Sequence, residues 1–69
     1  MERVSVSSSN IKSVGHDKIS RTLEVEFNSG AVYQYFNVGQ SVYDEMIDAG
    51  SVGQYFNANV KDNYNVSKV

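Results

Sequence analysis

Residues 22–37 carry the pattern of a β-hairpin. Along residues 22–27 (TLEVEF) apolar and acidic side chains alternate, so the two kinds face opposite sides of a strand. Residues 28–30 (NSG) favour a turn, because the glycine can adopt the positive φ that a three-residue hairpin loop requires. Residues 31–37 (AVYQYFN) are rich in residue types that favour strands. The apolar face of this hairpin needs other elements of the chain to cover it.

Two further strands are expected before the hairpin. Residues 4–6 alternate between apolar and polar side chains until the serines and asparagine of 7–10 interrupt them, which predicts the first turn. Residues 11–16 (IKSVGH) form the second candidate strand, and Asp17 ends it because aspartate favours turns by bonding to nearby backbone. At the other end of the chain, residues 61–69 have no clear period and are expected to fray.

The period changes after residue 39, where apolar side chains recur at helical spacing. Residues 42, 43, 46 and 47 form one apolar stripe, and the acidic residues 44, 45 and 48 lie on the other side. Gln40 or Ser41 is expected to cap this helix, and Gly50 to end it in the left-handed conformation. Ser51 is expected to cap a second short helix that extends to about residue 59.

Length and composition limit the chain to one small domain. Its 69 residues include no Cys, so disulfides and thiolate zinc sites are excluded. The formal net charge of −2 argues against tight nonspecific binding to duplex DNA or anionic membranes. Without an apolar run of roughly 20 residues or a signal-peptide pattern, a cytoplasmic location is expected. The predicted fold class is α+β, with an antiparallel sheet of three or four strands followed by two short helices packed on one face.

Tyr33 and Tyr35 share one face of their strand, and two alternatives follow from this. If they face solvent, two rings about 7 Å apart form a platform on which bases stack, each contributing roughly 1–3 kcal/mol. If they face the core, Gln34 lies outside and the remaining apolar residues of the strand are exposed. Either arrangement leaves aromatic or aliphatic surface outside, which favours a binding face or a dimer interface over an inert monomer.

The chemistry of the side chains does not favour an enzyme. His16 is the only histidine and the obvious proton-transfer candidate, but without Cys or a second His no catalytic triad can be assembled. Glu24 and Glu26 share a sheet face, as a carboxylate pair would, and the alternative is that they are solvated strand residues. We therefore predict no catalytic residue, no metal and no cofactor.

Four segments of the chain resemble the KTSC domain family. They are residues 9–17 (SNIKSVGHD), 23–30 (LEVEFNSG), 33–35 (YQY) and 53–57 (GQYFN), of which the third matches the family's central Tyr-x-Tyr. The resemblance covers about residues 8–65 and implies a single domain over residues 1–69. The family is named for the C-terminus of some lysyl-tRNA synthetases, and it also occurs as stand-alone small proteins of bacteria and their phages.

The resemblance implies a noncatalytic binding module for RNA, single-stranded nucleic acid or a nucleotide. Rings that stack and cations that contact phosphate would make such a site, and the candidates are Tyr33, Tyr35, Lys12, His16, Tyr55 and Lys61. Scattered surface charge is the alternative for the basic members. Three positions depart from the family pattern: His16 where a Tyr is common, Gly39 where a Pro is frequent, and a tail without clustered Arg or Lys.

The alternative function is a protein-interaction module. Such a module, for example a phage or prophage protein, would engage a host factor or form a homo-oligomer through its exposed apolar face. The expected partners are therefore RNA or a nucleotide in one case, and a host protein or a second copy in the other. No membrane partner is expected in either case.

Overall fold

The computed structural model describes residues 1–69 as one antiparallel sheet with two helices. The elements in chain order are β1 (Val4–Ser5), β2 (Ile11–Asp17), β3 (Thr22–Phe27), β4 (Val32–Tyr35), α1 (Gln40–Asp48), α2 (Val52–Asn59) and β5 (Val66–Lys68). Both helices pack on one face of the sheet, so the predicted α+β class is confirmed. Neither helix is long and apolar enough to cross a membrane.

The sheet has five strands in the order β1-β2-β3-β4-β5, one more than the largest number expected. The additional strand is β5, which lies in the tail that was expected to fray. It pairs antiparallel with β4, with Tyr33 opposite Lys68, and a bond from the Val69 N–H to the Val32 carbonyl (2.8 Å) extends the ladder. Backbone groups make this pairing, so it does not need the alternation of side chains that a sequence pattern would reveal.

The hairpin of β3 and β4 turns at Gly30, whose φ is 94°, as expected for its loop. The strand β4 ends at Tyr35, earlier than the predicted end at Asn37. Asn37 has a φ of 61°, which breaks the extended backbone. The next residue, Val38, then donates its N–H to the Arg21 carbonyl at 2.9 Å, and the chain enters α1.

The helices differ in how they begin. Ser51 caps α2 as predicted, because its hydroxyl accepts a hydrogen bond from the Gln54 N–H at 3.2 Å. The cap prediction for α1 was wrong: the N-cap is Gly39, the helix already includes Gln40 and Ser41, and no side chain caps it. The first free N–H groups of α1 therefore have no side-chain acceptor within the chain.

The end of α1 also differs from the expectation. The helix ends at Asp48, and Ala49 is extended with φ −67° and ψ 146°. Gly50 does not adopt a positive φ, since Gly30 is the only glycine that does. The link from Ala49 to the cap of α2 is short and extended, so a left-handed turn is not needed there.

One core lies between the sheet and the helices. Its ten buried residues are Ile11, Val14, Leu23, Val25, Tyr35, Val38, Met46, Val52, Phe56 and Val60. The ring of Phe56 stands edge-on to two rings of the hairpin, at centroid distances of 5.7 Å from Phe27 and 5.4 Å from Tyr35. Phe56 therefore anchors α2 on both strands of the hairpin.

The opposite face of the sheet is polar, and the N-terminal segment crosses it. The Arg3 guanidinium forms an ion pair with Glu24, and a second guanidinium nitrogen lies 3.6 Å from the Glu26 carboxylate. The backbone of Glu2 approaches Gly15 so closely that an added Cβ would lie 2.5 Å from the Glu2 carbonyl oxygen. The segment thus covers part of a face that the helices leave open.

Candidate functional site

The two tyrosines of β4 face the helices. Of the two orientations expected from the sequence, towards solvent or towards the core, the structure therefore shows the second. Tyr35 is only 5% exposed and contacts Phe56, and burial raises the pKa of its phenol. Gln34 points to the other face and donates to the Glu24 carboxylate at 2.9 Å. Tyr33 is half-buried at the margin of the core. A platform of two exposed rings therefore does not form in this structure.

Tyr33 instead lines a cavity of about 450 Å³ at the end of the sheet where the β3–β4 hairpin turns. The hairpin supplies one wall and the loop before β2 supplies the other. The lining residues are Ser9, Asn10, Phe27, Asn28, Ser29, Ala31 and Tyr33. We call this the hairpin cavity. It is the largest of the three cavities that the structure contains.

The aromatic wall of the hairpin cavity is held rigidly by the core. Tyr33 stands edge-on to Phe27 with ring centroids 5.7 Å apart, and Phe27 stands edge-on to the buried Phe56 at the same distance. Edge-to-face pairs of this kind each contribute about 0.5–1.5 kcal/mol beyond the burial of their area. The cavity therefore presents aromatic rings whose positions are set before any ligand arrives.

The rim of the cavity carries side-chain amides. Asn28 donates its backbone N–H to the Asn10 carbonyl (2.9 Å) and its side-chain Nδ2 to the Ser9 carbonyl (3.0 Å). These bonds hold the two walls together and leave the Asn28 Oδ1 free to accept. The Asn10 Oδ1 accepts from the Ser8 hydroxyl at 3.0 Å, which leaves its amide nitrogen free to donate. One free acceptor and one free donor suit the edge of a nucleobase.

Two lysines neighbour residues that line the hairpin cavity, one across the sheet and one along the chain. Lys68 of β5 lies directly opposite Tyr33 in the sheet, so the two side chains share a face with Cα atoms about 4.5–5.5 Å apart. Lys12 follows Asn10 by two residues and is exposed. The two ion pairs of the chain both belong to Arg3, so both lysines are unpaired. A phosphate attached to a base in the cavity would find cations here.

His16 lies at the far end of β2, away from the hairpin cavity. It is four residues from Lys12 along the strand, or about 13 Å. Its Nε2 donates to the Val38 carbonyl at 2.7 Å, its Nδ1 lies 3.2 Å from the Gln40 side-chain amide, and its ring stacks on Tyr43. These contacts tie β2 to the start of α1, so the structure gives His16 a packing role.

Tyr55 and Lys61 do not line the cavity either. Tyr55 donates its hydroxyl to the Glu45 carboxylate at 3.1 Å, which links the two helices. Desolvation, followed by this bond, raises the pKa of Tyr55. Lys61 follows α2 and is exposed, and its backbone N–H donates to the Phe56 carbonyl at 3.0 Å. Of the six predicted residues, only Tyr33 therefore lines the hairpin cavity.

The acidic pair on the open face of the sheet is fully engaged within the chain. Glu24 accepts from Gln34 and Arg3, and Glu26 accepts from the Ser13 hydroxyl at 2.9 Å. The hydrogen bond from Gln34, followed by that from Arg3, lowers the pKa of Glu24. Both carboxylates thus act as structural hydrogen-bond acceptors, and the lowered pKa holds Glu24 in its ionised form. No group of three or more His, Cys, Asp or Glu side chains is placed to hold a metal ion.

Of the residues that line the hairpin cavity, sequence reasoning identified only Tyr33; it missed Phe27, Asn10 and Asn28 among others, and it missed the neighbouring Lys68. The alternation of β3 places Phe27 on the inward face, and the two asparagines lie in segments whose composition predicts turns. Lys68 lies in the tail, and only the register of β5 against β4 brings it beside Tyr33. The two Asn residues that flank predicted strands were the one signal available, because they mark the loops that meet at one end of the sheet.

Known proteins resemble this chain in sequence. The model of the KTSC domain matches residues 7–64. The chain is 44% identical over 57 residues to an uncharacterised protein of Stutzerimonas stutzeri, which covers 83% of this chain and 80% of that protein. It is 41% identical over 54 residues to a lysine–tRNA ligase of Nostoc punctiforme, where the match covers 78% of this chain and 10% of the ligase.

A solved structure agrees over nearly the whole chain. The crystal structure of a KTSC domain protein from Yersinia pestis superimposes with a TM-score of 0.96 at 34% sequence identity, and the match covers 99% of this chain and 96% of that one. The resemblance of the sequence motifs, the family match and the fold agree with one another. The chain belongs to the KTSC domain family.

Proposed function

We propose that this domain is a noncatalytic module that binds an unpaired base of RNA, or a nucleotide, in the hairpin cavity. The observation that carries the proposal is the combination, in one preformed cavity, of two anchored rings with free amide groups and neighbouring unpaired lysines. Sequence-specific proteins read single-stranded RNA with these same means, namely stacking on aromatic rings and hydrogen bonds to base edges.

The proposed contacts divide among three kinds of group. A base stacks on Tyr33, which contributes about 1–3 kcal/mol. The free donor of Asn10 and the free acceptor of Asn28 bond to its edge. Lys68 and Lys12 contact the phosphates on either side. These two cations explain how a chain of net charge −2 can still bind a short single strand, since the positive charge is local.

One relative supports a nucleic-acid partner through the activity for which it is named. The ligase of Nostoc punctiforme is named for tRNA, and the matched region is a tenth of its length. A binding domain appended to such an enzyme is useful if it adds contacts to RNA. We extend that role to this chain because the cavity itself has the groups that a base requires.

The test is a titration of the ¹⁵N-labelled chain with a uridine hexanucleotide, an adenosine hexanucleotide and a DNA hexamer. We expect amide shifts at Asn10, Asn28, Tyr33 and Lys68. If both lysines contact phosphate, log K should fall against log salt with a slope of about −1.4, that is about −0.7 for each phosphate on a single strand. Lys68→Gln should halve this slope.

Matched variants separate the cavity from general charge effects. Tyr33→Leu keeps the apolar contact with Phe27 and removes the stacking ring, so affinity should fall about 5- to 160-fold, the equivalent of about 1–3 kcal/mol. Lys18→Gln removes one charge in the β2–β3 turn, away from the cavity, and should leave the affinity nearly unchanged. Absence of shifts at millimolar oligonucleotide would refute the proposal.

A further inference from the structure

A second concave surface lies along the edge of the sheet that β1 forms, between β1 and the C-terminal half of α1. It consists of two adjoining cavities of about 390 and 330 Å³ that share Val4 and Ile47. We call it the α1–β1 groove. Val4 is 46% exposed. The lining also includes Tyr43, Asp44 and Asp48 from α1 and Ser5 from β1.

The backbone of β1 is open towards solvent along this groove. The Val6 N–H donates to the Lys12 carbonyl at 3.1 Å, and Ser5 lies opposite Ser13 in the register. Since alternate residues of an antiparallel strand direct their backbone groups towards the partner, those of Ser5 point away from β2. An additional strand can therefore bond to Ser5 without displacing any bond that the chain already makes.

All the charged side chains that line the groove are acidic. Asp44 and Asp48 are exposed on its wall, and no basic side chain lines either cavity. Arg3, which precedes Val4 in the chain, turns to the other face of the sheet and pairs with Glu24. The surface thus combines an apolar floor with an uncompensated acidic wall beside an open strand.

We propose that the α1–β1 groove binds an extended, basic segment of another protein, which adds to the sheet as a strand beside β1. The backbone of that segment bonds to Ser5, and every second side chain enters the groove. Apolar side chains pack over Ile47 and Tyr43. An Arg or Lys between them lays its aliphatic stem along the groove and brings its charge to Asp44 and Asp48.

Charge favours this occupant over a second copy of the chain. A symmetric pairing of two β1 strands would bring two copies of the Asp44 and Asp48 wall towards each other, and like charges across an interface are unfavourable. The other edge strand, β5, is also open, but none of its residues lines any of the three cavities. It therefore offers no recess for alternate side chains.

The test uses the full chain and two acetylated, amidated peptides, Thr-Val-Thr-Arg-Thr-Val-Thr and its counterpart with Glu in place of Arg. We expect the Arg peptide to shift the amides of Ser5 and Ile47 and to bind at least tenfold more tightly than the Glu peptide. The double variant Asp44→Lys, Asp48→Lys should reverse this preference. Equal binding of the two peptides, or no shift at millimolar peptide, overturns the proposal.

A pair of proline variants tests the strand addition. Ser5→Pro removes an N–H that faces outwards and should reduce binding of the Arg peptide at least tenfold, while the amide spectrum of the core stays unchanged. Val66→Pro makes the same change on the edge formed by β5, where the bond from Val69 to Val32 implies that the Val66 N–H also faces outwards. It should leave affinity unchanged. Loss of binding in both variants, or in neither, contradicts docking at β1.

Sedimentation decides between the proposed partner and a second copy. We expect the free chain to sediment as a monomer of 7.7 kDa at the concentrations of the titration. A dimer that Ser5→Pro converts to monomer would identify a second copy as the occupant of the groove and overturn the proposal. These outcomes do not depend on the hairpin cavity, so either proposal can fail without the other.

Discussion

Gly15 is required by the path of the N-terminal segment over the sheet. The φ of Gly15 is not positive, so its backbone conformation does not require glycine. Glycine is required because the Glu2 carbonyl lies too close to where a Cβ would be. Any side chain at this position would push the segment away and separate Arg3 from its carboxylates. The N-terminal segment can therefore cover the polar face only if residue 15 has no side chain.

We predict that Gly15→Ala lowers the free energy of unfolding by about 1–3 kcal/mol, the usual cost of overpacking. The added Cβ would lie 2.5 Å from backbone and 3.0 Å from the Arg3 Cγ. Urea denaturation followed by circular dichroism measures the loss. Gly50→Ala is the matched control: its Cβ would meet nothing within 4 Å, and we expect unchanged or slightly increased stability. Equal stability of the two variants would contradict the close approach.

Glu24 makes stability depend on pH in the acid range. Its pKa in the folded chain lies below the ordinary value of 4.5, chiefly because Gln34 donates to the carboxylate. The ionised form therefore stabilises the fold at pH values above 4.5, and this contribution is lost as the pH falls below 4.5 and through the folded pKa. Glu24→Gln should make the acid-induced loss of stability shallower.

The titration of Glu24 can be followed directly by the carbon shift of its carboxyl group. Gln34→Ala removes the largest cause of the lowered value, so the midpoint should move upwards in that variant. An unchanged midpoint in Gln34→Ala would mean that the hydrogen bond between Gln34 and Glu24, 2.9 Å long in the structure, does not stabilise the carboxylate.

At the scale of secondary structure, the two helices are stabilised differently. The hydroxyl of Ser51 caps α2, whereas α1 begins at Gly39 without a side-chain cap. Gly53 within α2 costs about 1 kcal/mol relative to alanine, and its buried position against Ser8 and Asn10 explains why a larger residue does not replace it. The cap therefore offsets a weakness that packing imposes on the same helix.

We predict that Ser51→Ala destabilises the chain by about 1 kcal/mol, the typical effect of losing an N-cap. Ser41→Ala, near the uncapped start of α1, should change the free energy of unfolding by less than about 0.5 kcal/mol. Thermal unfolding of the two variants under identical conditions measures the difference. A larger effect at Ser41 than at Ser51 would contradict the cap assignment.

Elements whose side chains alternate or recur could be predicted from the sequence, and elements formed by backbone pairing could not. The alternation of β3 and the turn at Gly30 identify the hairpin, and the apolar stripe identifies α1. Residues 66–68 form a strand only because β4 leaves backbone groups free beside them. The predicted cap of α1, Gln40 or Ser41, lies one or two residues after the observed cap, Gly39, because a polar side chain was expected at a position that a glycine occupies.

The candidate site was less predictable than the fold because it depends on which segments lie side by side in the structure. The hairpin cavity combines side chains from the loop before β2 with those of the β3–β4 hairpin, and Lys68 of β5 stands beside it. Their proximity depends on strand register, which residue spacing does not reveal. Tyr33 was identified from its place in the Tyr-x-Tyr pattern, while Tyr35, from the same pattern, has a purely structural position in the core.

At the scale of the whole molecule, stability rests on a core of ten buried residues. A chain of this size rarely has more than about 3–5 kcal/mol of net stability from its core. Phe56 is central because it packs against the rings of both hairpin strands. Loss of this one side chain therefore affects the helix, the hairpin and the aromatic wall of the cavity together.

We predict that Phe56→Ala costs about 3–5 kcal/mol, which is comparable to the total stability, so that the variant is largely unfolded at 25 °C. Collapse of the amide shift dispersion would report this outcome. Phe56→Leu retains most of the volume and should remain folded with reduced stability. A well-dispersed spectrum for Phe56→Ala would contradict the central position of this ring.

The order of the strands in the sheet, which follows their order in the chain, has a consequence for folding kinetics. The three pairings among β1 to β4 join strands that follow one another in the chain, so short loops close them at little entropic cost. β5 can join only after the chain has passed through both helices. Folding should therefore end, and local opening begin, at the β4–β5 edge, and Lys68 would reach the hairpin cavity in the last step.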